Sequence, residues 1–108
     1  MRVPLPPPSD FLRSIEKSYA DGLDLVRRKN ADYANSEDPF KNFRSAGLAG
    51  VSVGRAILVR ALDKMSRISN LLDRDQPVVM DEKIEDTLLD GINYLAILKA
   101  WIESGQRS

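Results

Sequence analysis

The chain has 108 residues, of which 16 are basic and 16 acidic, so its formal net charge is zero. This balance creates no overall field that would favour double-stranded nucleic acid. Because the sequence contains neither Cys nor His, disulfides, thiol nucleophiles, Cys/His zinc sites and imidazole catalysis are excluded. Any reaction would depend on carboxylates, Lys, Tyr or a hard metal ion.

The length suits one domain with a single core, and a chain this short buries more surface as a homo-oligomer. The N-terminus has no apolar signal core, and no run of about 18 apolar residues occurs. We therefore expect a cytoplasmic protein with no membrane partner.

Four prolines within residues 1–8 predict an extended arm, which leaves residues 9–108 as the domain. Ser9 is suited to cap a first helix over residues 9–29, and basic residues at its end favour the negative end of the helix dipole. The apolar positions recur with helical spacing at Leu12, Ile15, Tyr19, Leu23 and Val26.

Residues 30–51 break this pattern, and only a short helical turn is predicted, at about residues 39–44. Loops this long in compact domains are often binding loops. The loop mixes rings with hydrogen-bonding groups, namely Asp32, Tyr33, Asn35, Phe40, Asn42, Phe43 and Arg44. Its rings could stack on a planar ligand, or they could close the core. The glycines of this loop are not followed by the Gly-Lys-Ser/Thr sequence of a phosphate-binding P-loop. We therefore interpret them as turn residues.

A second helix is predicted over residues 52–73, with Ser52 as its cap. Its apolar positions are expected to form a broad buried face, which consists of Val53, Ile57, Ala61, Leu62, Met65, Ile68 and Leu72. A mostly basic strip lies on another face, within an arc of roughly 120°. The strip contains Arg60, Asp63, Lys64, Arg67, Asn70 and Arg74.

A third helix is predicted over residues 81–104, with acidic residues at its positive end. Its core side contains Ile84, Leu88, Ile92, Leu95 and Leu98. A second side carries an acidic stripe of Glu82, Asp86, Asp90 and Asn93, followed by Tyr94, Ile97 and Trp101. Since its C-terminal half is apolar nearly all round, we expect the first helix or another subunit to cover it. Three long helices and the short turn predict an all-α helical bundle.

The acidic stripe offers hard oxygen ligands at the spacing of successive helical turns, which suits magnesium. Glu82, Asp86, Asp90 and Asn93 are accordingly the candidate Mg²⁺ ligands. The basic strip suits phosphate, because Arg provides a fork of donors and Lys a point charge. Alternatively, the two strips neutralise each other across a helical pair, and neither binds a ligand.

Several short elements occur in the order typical of the phage-associated nucleotide modification associated domain 1 family, which the chain resembles over roughly residues 25–100. They are Lys29-x-x-Asp32-Tyr33, Asn42-Phe43, Asp63-Lys64-x-x-Arg67 and Asp86-x-x-x-Asp90-x-x-Asn93-Tyr94. This resemblance implies an all-helical phage or bacterial protein linked to nucleotide metabolism.

The last of these elements is also similar to the second metal helix of the MazG-type all-α nucleoside triphosphate pyrophosphohydrolases. Those enzymes are expected to hold magnesium with a second pair of acidic residues on a neighbouring helix. This chain departs from that pattern, because its second helix supplies only Asp63 and because Asp86 and Asp90 are four residues apart rather than three.

Three functions remain open from the sequence. The first is nucleotide binding, with possible sequestration of a nucleotide or cyclic nucleotide signal, by Lys29, Asp32, Tyr33, Asn42, Phe43, Arg60, Lys64 and Arg67. The second is a magnesium-dependent pyrophosphohydrolase in which Asp86 and Asp90 hold the metal and Glu82 or Asp63 orients water. The third is a helical homo-oligomer that binds a protein partner and no small ligand.

Overall fold

The computed structural model describes residues 8–32 and 38–105, and these ranges contain helices and no strand. The helices are α1 (Pro8–Asp32), α2 (Lys41–Arg44), a 3₁₀ helix (Ser45–Ala49), α3 (Val53–Leu72) and α4 (Glu82–Glu103). The predicted all-α fold, with three long helices and a short one in the first loop, is confirmed. The predicted extended arm lies, except for Pro8, outside the described residues.

The helix starts follow local side-chain chemistry. The Ser52 side chain accepts a hydrogen bond from the Arg55 backbone N–H, and the Asp81 carboxylate accepts one from that of Ile84 at 2.9 Å. Ser9 does not cap α1 as predicted, because the helix begins at Pro8 and Ser9 lies within its first turn. Proline is tolerated there because the amide proton it lacks would have no helical partner.

Helices α3 and α4 form an antiparallel hairpin joined by residues 73–81, and this pair contains most of the core. Its buried apolar side chains are Ile57, Ala61, Leu89 and Trp101. The predicted buried face of α3 is therefore narrower than expected, since Leu62, Met65 and Leu72 are exposed. The two backbones approach closely at Gly91, where an added Cβ would lie 3.8 Å from the Lys64 Cβ. Of the predicted core side of α4, Leu95 is exposed and the other members are only partly buried. The buried apolar side chains of α4 are instead Leu89 and Trp101, because α3, α1 and Phe40 contact this helix from different directions.

Helix α1 packs on α4 through its C-terminal half. The Asn93 side-chain amide donates a hydrogen bond to the Gly22 carbonyl oxygen at 3.1 Å. A Cβ at Gly22 would lie 3.1 Å from Asn93 Oδ1, so a glycine permits this approach. The helix therefore covers the Asn93 side of α4, which is one of the two alternatives that the sequence had left open.

The apolar side chains of α1 between Phe11 and Leu23 are not part of the core. Phe11, Leu12, Ile15, Tyr19 and Leu23 are all at least 40% exposed, and Tyr19 reaches 64%. These side chains share one face of the helix, and within the described ranges α4 is the element that α1 contacts. That contact leaves the side chains from Phe11 to Leu23 largely exposed.

No single described helix is long and apolar enough to cross a membrane. The segments Lys41–Ala49 and Val53–Leu72, which meet at a bend, reach the necessary length and apolar composition only when they are taken together.

Two glycine substitutions test the α3–α4 contact and the α1–α4 contact independently. At Gly91 a methyl group would make ordinary contact with Lys64, so Gly91→Ala should raise the free energy of unfolding by about 1 kcal/mol through helix propensity. At Gly22 the same change crowds Asn93, so Gly22→Ala should gain less or destabilise. Urea unfolding of both variants measures the difference. Equal stabilisation by the two would contradict the close α1–α4 packing.

Candidate functional site

Asp90 lies where the three long helices meet, and it contacts two lysines. Lys29 Nζ of α1 lies 3.4 Å from its Oδ1, and Lys64 Nζ of α3 lies 3.1 Å from its Oδ2. The side chains of Asp90 and Lys64 are only 17% and 19% exposed. Two cations face one carboxylate, so the cluster carries a local excess of one positive charge. We call Lys29, Lys64 and Asp90 the Asp90 cluster.

Next to this cluster, the end of the α3–α4 hairpin that residues 73–81 connect forms a groove of about 450 Å³. Its lining residues are Arg67, Asn70, Leu71, Arg74, Asp81, Lys83, Ile84 and Thr87. We call this the basic groove, since three cationic side chains line it and Asp81 is the one acidic residue among them. The Asp81 carboxylate already accepts the Ile84 N–H, which directs one of its oxygens to the helix terminus.

The predicted direct pairing between the basic strip and the acidic stripe occurs at one position. Lys64 pairs with Asp90, whereas Arg60 and Arg67 make no ion pair with any residue in the described ranges. Arg67 lines the basic groove, and Arg60 is exposed outside it. Most of the strip's positive charge is therefore free to interact with a ligand.

The candidate magnesium ligands do not point to a common centre. Asp90 contacts two lysines, Asn93 donates to Gly22, and Glu82 and Asp86 are exposed. Among the residues described, no three acidic side chains come close enough together to hold a metal ion. The arrangement is better suited to pairing cations than to coordinating Mg²⁺.

The loop aromatics pack against α4. Phe40 contacts Trp101 edge to face with ring centroids 4.9 Å apart, and the Arg44 guanidinium lies 5.4 Å from the Trp101 ring centre. Phe43 contacts Tyr94, with ring centroids 6.3 Å apart. Because Tyr94 follows Asp90 by one helical turn, Phe43 lies close to the Asp90 cluster without being available as an open stacking surface.

The remaining predicted nucleotide contacts are scattered. Asn42 is exposed on α2, Asp32 is described only as the last residue of α1, and Tyr33 lies outside the described residues. Sequence reasoning missed Lys83 and Thr87, which lie opposite Arg67 across the hairpin. The helical spacing along one helix does not reveal which residue of its neighbour lies opposite, so nothing in the sequence pattern identified them.

Comparison of the chain with protein-family models, with curated proteins and with solved structures gives no match. The resemblance to the two nucleotide-related families therefore stays a prediction. The chemistry of the site has to be inferred from its own charges and contacts.

Removing the charge of Asp90 should destabilise the protein. In Asp90→Asn, two lysines would remain near one another without a counter-charge in a partly buried position, at a cost of about 1–3 kcal/mol in the free energy of unfolding. Asp86→Asn is the matched control, because Asp86 is exposed on the same helix and should change stability little. Denaturant unfolding measures both. An unchanged stability in Asp90→Asn would show that the cluster holds no helices together.

The loop contact with Trp101 should weaken in acid. Arg44, by its hydrogen bond, and the Phe40 N–H together lower the pKa of Asp38 below its ordinary value of 3.8. The contribution of this carboxylate to stability is therefore complete above the ordinary value and is lost as the pH falls through the lowered pKa. Carboxyl NMR measures that pKa, and Trp101, the single tryptophan, reports the packing by fluorescence.

Arg44→Gln should return the Asp38 pKa towards its ordinary value, because the first of the two causes is removed. Arg55→Gln is the matched control, as an exposed arginine on α3 that makes no ion pair with the described residues. An Asp38 pKa that is the same in Arg44→Gln and in the unsubstituted chain would refute the Arg44 contact.

Proposed function

We propose that the protein binds a phosphate-containing nucleotide in the basic groove, with no metal ion and without hydrolysing it. The observation that carries this proposal is the convergence of Arg67, Arg74 and Lys83 around one open groove. Arginine and lysine in such a groove attract anions, and arginine in particular forms paired hydrogen bonds with phosphate oxygens.

The groove also offers the neutral contacts that a nucleotide requires. Asn70 and Thr87 can donate hydrogen bonds to ribose or phosphate oxygens, and Leu71 and Ile84 provide an apolar wall for a base. A volume of about 450 Å³ is within the usual range for small-molecule sites. The phosphate would lie on the cations and the base on the apolar wall. This differs from the sequence prediction, in which the loop aromatics stacked on the base.

The Asp90 cluster keeps Asp90 from pairing with the arginines of the groove. Asp90 is the acidic residue of α4 that contacts the basic strip, and Lys29 and Lys64 already hold it. The arginines of the groove therefore do not have to break an ion pair with Asp90 before they bind a phosphate. Retention of an intact ligand would suit sequestration of a nucleotide or cyclic nucleotide signal, and the family resemblance agrees with such a role.

Hydrolysis by a magnesium-dependent mechanism is the weaker alternative. It requires Asp86 and Asp90 to share a metal ion, but Asp90 is held by two lysines while Asp86 is exposed. The third function, a helical oligomer that engages another protein chain, is favoured by a different observation, the exposed apolar face of α1.

The protein should bind nucleotides stoichiometrically, and Arg67→Glu or Arg74→Glu should weaken binding about 10- to 100-fold, since each replaces a charge-assisted contact with a repulsive one. Calorimetry with a panel of linear and cyclic nucleotides, with and without Mg²⁺, measures the affinity, and chromatography of the released ligand shows whether it is intact. Arg55→Glu is the matched control, because Arg55 is exposed on α3 outside the groove.

If Arg67→Glu and Arg74→Glu bind nucleotides as tightly as the unsubstituted chain does, the site does not lie in the basic groove. Magnesium-dependent appearance of pyrophosphate would favour the enzyme instead. No binding to any member of the panel would overturn the proposed function.

A further inference from the structure

Two stripes of exposed apolar side chains lie on α1 and α3. The α1 stripe consists of Phe11, Leu12, Ile15, Tyr19 and Leu23. The α3 stripe consists of Leu58, Leu62, Met65 and Leu72, which recur at helical spacing on the side of α3 next to its buried face. The backbones of α1 and α3 do not approach each other within the described ranges.

We propose that a second copy of this chain covers both stripes, with the α1 stripe of each copy packed on the α3 stripe of the other. The contact is reciprocal, so two copies related by a two-fold axis close the assembly and leave neither stripe exposed. This proposal concerns a surface separate from the basic groove and does not depend on nucleotide binding.

The lengths of the two stripes match. From Phe11 to Leu23 the α1 stripe runs roughly 18 Å, and from Leu58 to Leu72 the α3 stripe runs roughly 21 Å, at about 1.5 Å per residue. Each stripe is one face of a regular helix, so the two can pack by the ridges and grooves that join helices within proteins.

The area involved is that of a stable dimer. With about 200 Å² for each fully exposed large side chain, the exposed fractions correspond to about 530 Å² on α1 and about 400 Å² on α3. Reciprocal packing would therefore bury about 900 Å² per copy, compared with about 800 Å² in a standard stable interface. A monomer that exposed this much apolar surface would be unusual.

The α1 stripe also continues an interface that the chain already makes. Gly22, on the same face of α1, is buried and lies against Asn93 of α4, and Val26, one turn further along, is partly buried. The chain itself therefore covers part of this face, and the α1 stripe extends the same face beyond that contact.

The experiment measures the mass in solution by light scattering over a wide range of concentrations. The unsubstituted chain should have about twice its mass of 12.1 kDa. Ile15→Asp and Leu62→Asp, one in each stripe, should each raise the dimer dissociation constant by roughly 30-fold or more. Both should remain helical by circular dichroism, because both side chains are already exposed within one copy. Leu48→Asp is the matched control, since Leu48 is 95% exposed and belongs to neither stripe.

A second measurement keeps the proposal testable if an aspartate variant fails to fold. The chain has no cysteine, so Tyr19→Cys and Leu62→Cys each introduce a single thiol. When the two variants are mixed, a short bis-maleimide should link them to each other, while Tyr19→Cys mixed with Leu48→Cys should give no such product. A monomer at every concentration, a dimer that survives both aspartate changes, or no α1–α3 cross-link would overturn the proposal.

Discussion

The need to cover α4 determines how the rest of the chain is arranged. This helix is apolar over much of its circumference, and in water each uncovered large side chain costs about 1.5–3 kcal/mol relative to burial. Helix α3, the C-terminal half of α1 and the segment around Phe40 each cover a different part of it. The contacts at Gly22 and Gly91 show how closely two of these elements approach.

The packing of the three long helices also determines which charged side chains pair with each other. Asp90 points into the junction of the three long helices, where it would be costly without a partner, and the two lysines remove that cost. Once Asp90 is neutralised, the arginines further along α3 have no acidic partner within the described ranges. The excess positive charge at the basic groove follows from this, and it makes an anion the natural ligand of the groove.

The apolar surface and the basic groove lie on different parts of the molecule. Helix α3 contributes to both, with Arg67 and Arg74 on one side and Leu58, Leu62 and Met65 on another. Different faces of this twenty-residue helix pack on α4, line the groove and present the apolar stripe. None of the residues of the two stripes lines the basic groove, so the two proposals do not compete for the same side chains.

The sequence alone determined the all-α fold, the three long helices to within a few residues and the faces on which their apolar and charged side chains lie. These follow from local rules, because spacing of 3.6 residues per turn and capping by Ser52 or Asp81 act within one helix. Only the tertiary structure decided which faces meet. The register of the α3–α4 hairpin placed Lys83 and Thr87 opposite Arg67, and the approach at Gly22 brought Lys29 to Asp90. Such pairings depend on the summed packing of whole helix faces, which no short stretch of sequence records. For the same reason, helical spacing could show that the α1 face is apolar but could not show that its N-terminal half would remain exposed.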